Sequence, residues 1–422
     1  MSRAIVLLTR DLRVHDHPAL TAAAAEAETV IPLFVLDDAI FESSFAAPNR
    51  VGFLLESLAD LRERLPLVVR RGDVVAETAR LAEETGAESL HLSADVSAYA
   101  QAREERLRAE VRAELVSHPG VTVVPPGEVA PEGKNHYEVF TAYSRAWRRV
   151  PAGEPLPAAR IRAHDVELGE LPDVPTGRSP ELVHGGETEG RRRLERWASE
   201  GLAGYKDGLH DTSRLSSYLH FGCLSPREVA ARCSASGSYV RQLCWRDFYA
   251  QLLAARPETA TEDLRPRGDG WVDDADALAA WKEGRTGFPL VDAGMRQLAR
   301  EGWMHNRARL VAASFLTKDL GIDWRIGAQH FYDLLVDGDV AQNAGNWQWV
   351  AGTGTDSRPN RVFNPTLQAK KLPGAADYVR RYVDELAAVE DVSEPGLLAP
   401  DYPGPIVDHA EAVARFRQRR AR

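Results

Sequence analysis

Apolar and polar positions alternate along the first 130 residues in a pattern that predicts a layered α/β domain. Short apolar runs are typical of buried strands, and longer stretches with helical periodicity lie between them. The predicted strands are residues 4–9, 30–35, 67–70, 89–92 and 121–124. The predicted helices are residues 18–28, 50–65, 74–85 and 98–116. This alternation indicates a doubly wound parallel sheet.

Ligands of such sheets bind beyond the carboxyl ends of the strands, where residues 9–13 and 37–41 form loops. No GxGxxG sequence follows the first predicted strand. A dinucleotide site of the usual kind is therefore not expected at this edge.

The pattern changes after Pro125. Residues 131–186 are rich in proline and glycine and predict a long surface linker with one helix near residues 137–150. From residue 187 onwards helical periodicity dominates, in residues 188–198, 215–219, 225–234, 242–256, 290–302, 307–320 and 329–336. We therefore expect an α/β domain over residues 1–130, a linker over 131–186 and an all-α domain over 187–422.

The composition indicates a globular protein of two domains. The chain has 422 residues, of which 44% are hydrophobic and 27% charged. The formal net charge of −10 argues against a uniformly basic nucleic-acid binder but permits a local basic groove. Cys223, Cys233 and Cys244 lack CxxC spacing and are expected to be buried free thiols. Because the sequence has no signal peptide and no apolar run of membrane length, we expect a cytoplasmic protein.

Residues 336–365 contain the most informative group of side chains. Two acids, Asp337 and Asp339, precede an amide, Asn343, and two indoles, Trp347 and Trp349. A solvated loop does not need two indoles and an apolar core does not need two acids, so we predict a pocket for a flat, partly polar ligand. The further acids of a calcium loop and the His/Cys cluster of a zinc site are missing, so we expect no metal.

Other segments of the helical half admit more than one interpretation. Residues 212–216, TSRLS, either cap a helix through hydroxyl groups or cradle a phosphate beside Arg214. Residues 245–249, WRDFY, form either a core helix face or part of a site. Eight of the nine tryptophans lie in this half, where they could fill a core, stack on bases or relay an electron. The residues alone leave these alternatives open.

Taken together, the motifs resemble those of the DNA photolyase/cryptochrome family, most closely the class I cyclobutane pyrimidine dimer photolyases. The motifs are TSRLSSYLHFG, WRDFY, WKEGRTGFPLVDAGMRQLAREGWMHNRARLVAASFLTKDLGIDWR and DGD followed by NWQWVAGTGTD. The similarity spans essentially the whole chain, including RDLR near its start. Each motif is weakly specific alone, whereas the set is highly specific.

The resemblance implies a helical domain that holds FAD, reduced in the active form, in a U shape. Asn343 would face N5 of the flavin, and residues 212–216 would cradle the phosphates. The implied flavin-contacting residues are Tyr205, Thr212, Ser213, Arg214, Leu215, Ser216, Gln242, Arg246, Trp303, Asn306, Arg309, Asp337, Gly338, Asp339 and Asn343.

The resemblance also implies light-dependent repair of cyclobutane pyrimidine dimers. Excited reduced FAD would pass an electron to a dimer flipped out of the duplex, the ring would split, and the electron would return. An electron-transfer chain of Trp347, Trp324 and Trp271 would connect the flavin with the surface. The implied catalytic residues are Trp271, Trp324, Trp347, Asn343 and Gln242.

The implied substrate is DNA that contains pyrimidine dimers, bound by a monomer. The implied lesion-pocket residues are Trp245, Asn306, Leu310 and Trp349. Basic candidates for a phosphate-binding rim are Arg307, Lys318, Arg358, Arg361, Lys370 and Lys371. A second chromophore, a deazaflavin or a folate, would act as antenna in the α/β domain, and the edge loops do not select between the two.

Two departures from the family pattern keep alternatives open. Gln242 stands where dimer photolyases usually have a glutamate, and an amide can donate a hydrogen bond but cannot deliver a proton. Leu310 stands where many members have a methionine, a nearly volume-neutral change. The alternative function is a cryptochrome-type blue-light photoreceptor with little repair activity. A six-four photolyase is disfavoured because the segment from His305 to Arg307 lacks paired histidines.

Overall fold

The structure, a computed structural model, describes residues 2–205, 208–210, 212–396 and 399–421. They form two compact units. The first comprises residues up to 177 together with 183–204 and 213–257, and the second comprises 178–182, 205–212 and 258 onwards. The predicted domain limits at residues 130 and 186 stay a prediction.

A parallel five-stranded sheet forms the centre of the first unit. Its strands are β1 (Arg3–Leu7), β2 (Thr29–Asp37), β3 (Val68–Gly72), β4 (Ser89–Ser93) and β5 (Glu114–His118). The spatial order β3-β2-β1-β4-β5 places the reversal of strand order between β1 and β4. The predicted doubly wound sheet is confirmed.

Helices complete the first unit, and their ends follow local capping rules. In α4 the Asp73 carboxylate accepts hydrogen bonds from the amides of Val75 and Ala76, and Gly86 ends the helix in the left-handed region. A π-helical turn, Trp197–Gly201, follows α7. The helices are α1 (Pro18–Glu26), α2 (Asp38–Phe41), α3 (Pro48–Arg62), α4 (Val74–Thr85), α5 (Ala98–Glu110), α6 (Phe140–Trp147), α7 (Glu187–Arg196), α8 (Ser216–His220), α9 (Pro226–Arg232) and α10 (Gly237–Ala255).

The predicted strand at residues 121–124 is wrong. The fifth strand is β5, and α5 ends at Glu110 instead of continuing to residue 116. Val123 and Val124 are buried, but their amides donate to Oδ2 of Asp247, at 3.0 and 2.9 Å. Burial raises the pKa of Asp247 to about 6. One buried carboxylate thus takes the place of a neighbouring strand as hydrogen-bond partner, which the hydrophobic pattern does not reveal.

The described residues of the second unit form helices and loops without a strand, as the sequence predicts. A π-helical turn, Phe315–Leu320, continues α13. In the described part of the chain, no helix combines the length and the apolar character that a membrane span requires. The helices are α11 (Ala275–Lys282), α12 (Pro289–Glu301), α13 (Asn306–Ser314), α14 (Trp324–Leu334), α15 (Val340–Ala351), α16 (Pro365–Lys371), α17 (Ala375–Tyr382) and α18 (His409–Arg420).

The three cysteines are buried and free, as predicted. Burial raises the pKa of the Cys223 and Cys244 thiols to about 12 and that of Cys233 to about 11. Since the thiolate is the nucleophilic form, these side chains act as small apolar core residues at neutral pH.

Candidate functional site

A cavity in the second unit is lined by α13, α14, α15 and the loop before α15. Its empty space of about 450 Å³ includes open solvent at the mouth. Six of the predicted site residues line it: Asn306, Arg309, Leu310, Asp337, Asn343 and Trp347. The sequence did not single out other lining residues, including Phe331, Gln342, Asn346 and Val350. Asn346 follows Asn343 by three positions, so helical spacing could have identified it.

An ion pair between Arg309 and Asp337 forms one wall of this cavity. Nη2 of Arg309 donates to both carboxylate oxygens of Asp337, at 3.0 and 2.8 Å, and Nε donates to the carbonyl of Met304 at 2.8 Å. The Asp337 side chain is only 3% exposed. Trp303 lies beside the pair, with its ring centroid 5.9 Å from the guanidinium carbon. The ion pair connects α13 with the loop before α15, and the two elements together form a polar wall of the cavity.

The start of α15 holds the other predicted polar residues. Asp339 is the N-cap and accepts a hydrogen bond from the amide of Gln342 at 2.9 Å, with Gly338 buried before it. The Asn343 side chain is buried, and its Nδ2 donates to the carbonyl of Ala328 on α14 at 3.0 Å. This bond fixes the amide of Asn343 in the cavity wall. Amide, guanidinium and carboxylate groups beside apolar walls fit a flat ring system with polar edges, such as the flavin of FAD.

The three tryptophans of the predicted electron-transfer chain share one apolar core. Trp324 and Trp347 belong to the buried cluster, and the partly buried Trp271 packs against it. Nε1 of Trp324 donates to Asp263 at 2.8 Å. The ring of Trp347 contacts those of Phe331 and Trp281, with centroids 5.0 and 6.2 Å away. Trp281 is one of the eight tryptophans of the helical half, and the sequence assigned no role to it.

Trp347 and Trp349 face different environments on α15, as their spacing predicts. Trp347 is 2% exposed, whereas Trp349 is partly exposed. The guanidinium carbon of Arg361 lies 5.0 Å from the centroid of a Trp349 ring. Arg358 is exposed and Arg307 is partly exposed. Trp349 and Arg361 therefore form an accessible aromatic and basic contact, and Arg307 and Arg358 are further accessible cations of the same unit.

Lys318 does not belong to that face, and its prediction as a rim residue is wrong. The side chain is fully buried, and Nζ donates to the backbone carbonyls of Ala351 and Pro359. The other lysine candidates, Lys370 and Lys371, are exposed, and Lys370 pairs with Glu394 at 2.7 Å.

Several predicted site residues lie on α10 in the first unit. Gln242 is exposed on this helix, and Trp245 stacks on Phe140 with centroids 3.5 Å apart and planes within 2°. Arg246 donates to the carbonyls of Val121 and Leu219. The ring of Trp245 thus already stacks on an aromatic partner within the protein. The hydrogen bonds of Arg246 give it a structural role, whatever ligand it also binds.

The segment 212–216 leads into α8, and the amide of Leu215 donates to Oγ of Ser213 at 3.4 Å. The N-cap of α8 is Leu215, which makes no side-chain cap hydrogen bond. Ser213 accepts a hydrogen bond from the hydroxyl of Tyr239 at 2.8 Å, and Arg214 has a φ of 53°. Tyr205 and Thr212 belong to the second unit, and the other four residues to the first. The phosphate-cradle interpretation of this segment stays a prediction.

A second group of polar atoms lies at the carboxyl edge of the sheet. Oγ1 of Thr9, Oδ2 of Asp37 and Nε of Arg103 are buried without a hydrogen-bond partner. Thr9 follows β1, Asp37 ends β2, and Arg103 is on α5. Burial raises the pKa of Asp37. Buried polar atoms without partners are costly, so this edge is suited to a polar ligand.

Comparisons with known proteins show similarity over both halves of the chain. The family profile described as "FAD binding domain of DNA photolyase" matches residues 239–422, and that described as "DNA photolyase" matches residues 4–160. A protein from Streptomyces griseus named deoxyribodipyrimidine photo-lyase is 51% identical, and the match covers 100% of this chain and 99% of the relative.

Two crystal structures are also similar along their full lengths. A bacterial class III photolyase from Agrobacterium tumefaciens has a TM-score of 0.90 and 32% identity, with 100% of this chain and 97% of that one covered. An archaeal photolyase from Sulfolobus tokodaii, described as containing two FAD molecules, has a TM-score of 0.89 and 30% identity, with 99% of each chain covered.

Proposed function

Because this chain belongs to the DNA photolyase/cryptochrome family, we propose that it repairs cyclobutane pyrimidine dimers in DNA by light-driven electron transfer from FAD. The observation that carries the proposal is the cavity lined by α13, α14 and α15. Its polar lining residues include Arg309, Asp337 and Asn343, at which the resemblance implies flavin contacts, and the cavity lies within the match to the FAD binding domain. The full-length similarity to a deoxyribodipyrimidine photo-lyase supports the reaction class.

Bound FAD, in its reduced form, supplies an electron when it absorbs blue light. The residues of the cavity bind and orient the flavin. Arg309, held by Asp337 and by the carbonyl of Met304, presents a fixed cation to it. Asn343 presents an amide whose orientation is set by its bond to Ala328. The buried rings of Trp347 and Phe331 exclude water from this side of the cavity.

The lesion is proposed to contact Gln242, Trp245, Asn306, Leu310 and Trp349. A pyrimidine dimer stacks and pairs poorly, so moving it out of the duplex costs less than moving a normal base. Gln242 is exposed and can donate an amide hydrogen bond to a carbonyl of the dimer. Arg307, Arg358 and Arg361 would hold the DNA phosphates, which makes binding weaker as salt concentration rises.

The carboxyl edge of the sheet is proposed to hold the antenna chromophore. The unpartnered atoms of Thr9, Asp37 and Arg103 support a ligand with both donor and acceptor groups. Deazaflavins and folates both have such groups. The two FAD molecules in the Sulfolobus tokodaii relative add a flavin as a third candidate.

Purified protein should show the absorbance and fluorescence of a second chromophore in addition to FAD. Asp37→Ala should lose that chromophore and keep FAD, because Asp37 lies at the sheet edge. Asp38→Ala, an exposed neighbour that pairs with Arg71, is the matched control and should keep both pigments. A wild-type protein that contains only FAD, also after incubation with each candidate chromophore, would contradict an antenna site.

Illumination of the reduced protein with an oligonucleotide that contains a thymine dimer should restore two separate thymines. Gln242→Ala should reduce repair per absorbed photon by about tenfold, since one hydrogen bond to a developing charge contributes about 1.5 kcal/mol. Gln418→Ala, at an exposed position on α18, should repair like the wild type. Chromatography of the digested oligonucleotide measures the product.

The same experiment separates repair from the alternative, a cryptochrome-type photoreceptor. Two features favour the alternative: Gln242, which replaces the usual glutamate of dimer photolyases, and the acidic net charge of −10. Complete photoreduction of FAD without any loss of the dimer would contradict the repair function and support a photoreceptor.

A further inference from the structure

Lys318 is a fully buried lysine whose amino group donates hydrogen bonds to backbone carbonyls. Its Nζ donates to the carbonyl oxygens of Ala351 at 2.8 Å and Pro359 at 2.9 Å. It also lies 4.3 Å from the ring centroid of Phe416 on α18. Among the residues that the structure describes, no carboxylate forms an ion pair with it. An ammonium group in this position joins two backbone segments instead of neutralising an acid.

The two segments are the end of α15 and the chain that folds back over it, residues 352–363, here called the return segment. Gly352 begins the return segment with a φ of 84°, and a Cβ added there would lie 2.2 Å from the carbonyl oxygen of Pro359. Arg420 also donates to the carbonyl of Ala351, at 2.7 Å. The close approach of Gly352 to Pro359 and the hydrogen bonds of Lys318 therefore both hold the return segment against the end of α15.

The return segment carries Arg358 and Arg361, two of the three arginines of the proposed DNA face. Arg358 is exposed, and its amide donates to Oδ1 of Asp356 at 3.0 Å. Arg361 lies over Trp349 and is 3.5 Å from Asp356. The position of both guanidinium groups relative to Trp349 thus depends on how the return segment is held against α15.

Burial removes the amino group of Lys318 from water at a cost in free energy. An apolar side chain that filled the same space would avoid this cost, so Lys318 is not a simple space-filling residue. Burial lowers the pKa of Lys318 to about 7. The charged groups that face it are Arg420 on α18, Asp269 and Arg267 in the loop before α11, and Asp356 in the return segment. A neutral side chain of similar volume would avoid the desolvation of the ammonium group but would leave the Pro359 carbonyl without this donor.

We propose that Lys318 is a positioning residue that holds the return segment, and with it Arg358 and Arg361, in the arrangement that binds the phosphates of damaged DNA. The proposal rests on the proposed function, because it assigns the basic face to DNA. Lys318 itself is buried and contacts neither DNA nor flavin. Its effect is therefore expected in DNA affinity and not in flavin chemistry.

Lys318→Met tests this role, with Lys282→Met at an exposed position as the matched control. FAD-loaded Lys318→Met should bind a dimer-containing duplex about tenfold more weakly, which corresponds to ~1.4 kcal/mol. Its FAD content and its rate of photoreduction should equal those of the wild type. Lys318→Arg should recover most of the affinity, because a guanidinium can donate to both carbonyls.

Trypsin cleavage between Arg361 and Val362 gives a second measurement that needs neither DNA nor light. Cleavage at this bond, relative to that between the exposed Arg162 and Ala163, should be faster in Lys318→Met than in the wild type or Lys282→Met. In Gly352→Ala the added Cβ would collide with the carbonyl oxygen of Pro359 and so displace the return segment. This variant should therefore also show faster cleavage and weaker DNA binding. It carries the test if Lys318→Met does not fold.

Unchanged cleavage and unchanged DNA affinity in folded Lys318→Met, or in Gly352→Ala, would overturn the proposal. Equal losses of FAD content and DNA affinity would also overturn it, because they indicate a general structural role. Faster cleavage in the variants, together with a wild type that does not bind dimers, would instead confirm that Lys318 holds the segment and contradict the proposed function.

Discussion

Replacement of Trp347 by phenylalanine should abolish photoreduction of oxidised FAD and leave repair by chemically reduced enzyme unchanged. Trp347 lines the cavity, is 2% exposed and belongs to the same core cluster as Trp324. Phenylalanine keeps an aromatic ring against Phe331 but removes the readily oxidised indole. Absorbance of the flavin under blue light with an external thiol measures photoreduction, and the dimer assay after dithionite reduction measures repair.

Trp197→Phe is the matched control, because Trp197 is a buried tryptophan in the first unit and outside the core cluster of Trp347. It should photoreduce like the wild type. A loss of repair in pre-reduced Trp347→Phe would show that Trp347 acts in the repair reaction itself. Normal photoreduction in the same variant would remove Trp347 from the electron-transfer chain.

Elements with a strong local signal were predicted from the sequence almost to the residue. The predicted helix at residues 74–85 coincides with α4, because Asp73 caps its start and Gly86 ends it. The sheet was predicted from buried apolar runs such as Ala4–Leu7 at its centre. In these elements local propensity and burial indicate the same structure, so the hydrophobic pattern is sufficient.

Elements at the periphery were missed because few of their residues are buried. Strand β5 is an edge strand with partly exposed side chains, and it was assigned to the preceding helix. Helix α18 buries only Ala412 and Phe416, so it has almost no apolar face. Residues 121–124 gave the opposite error: they are buried and were predicted as a strand, but they do not form one. The amides of Val123 and Val124 donate instead to Asp247, which is far away in sequence. Hydrogen bonds from distant side chains are not visible in a local pattern.

The candidate site was predicted in part from side-chain chemistry and in part from family resemblance. The acids, amide and indoles of residues 336–365 were sufficient to predict a pocket, and Asp337, Asn343 and Trp347 do line one. The different environments of Trp347 and Trp349 followed from helical geometry, whereas the roles assigned to them come from the resemblance alone. Lys318 was misplaced because lysine is seldom buried, and backbone carbonyls as its partners cannot be inferred from sequence.

Replacement of Arg309 by glutamine should weaken FAD binding by about a hundredfold. The cation that the proposed function places against the flavin would be lost, at a cost of about 3 kcal/mol to binding, and the other charge of the ion pair would be left without compensation. Asp337, with a side chain only 3% exposed, would be that charge, and the carbonyl of Met304 would lose its donor. The FAD absorbance retained after gel filtration, and titration of the apoprotein with FAD, measure the change.

Arg285→Gln removes the same functional group from an exposed ion pair and is the matched control. Arg285 and Glu283 have side chains 59% and 54% exposed, so their pair should contribute less than about 1 kcal/mol to stability. This variant should retain FAD fully.

The double variant Arg309→Gln with Asp337→Asn should recover part of the FAD affinity, because two amides can hydrogen-bond without a buried charge. A single Arg309→Gln variant with wild-type FAD affinity would show that the ion pair supports the fold of this wall but does not bind the flavin.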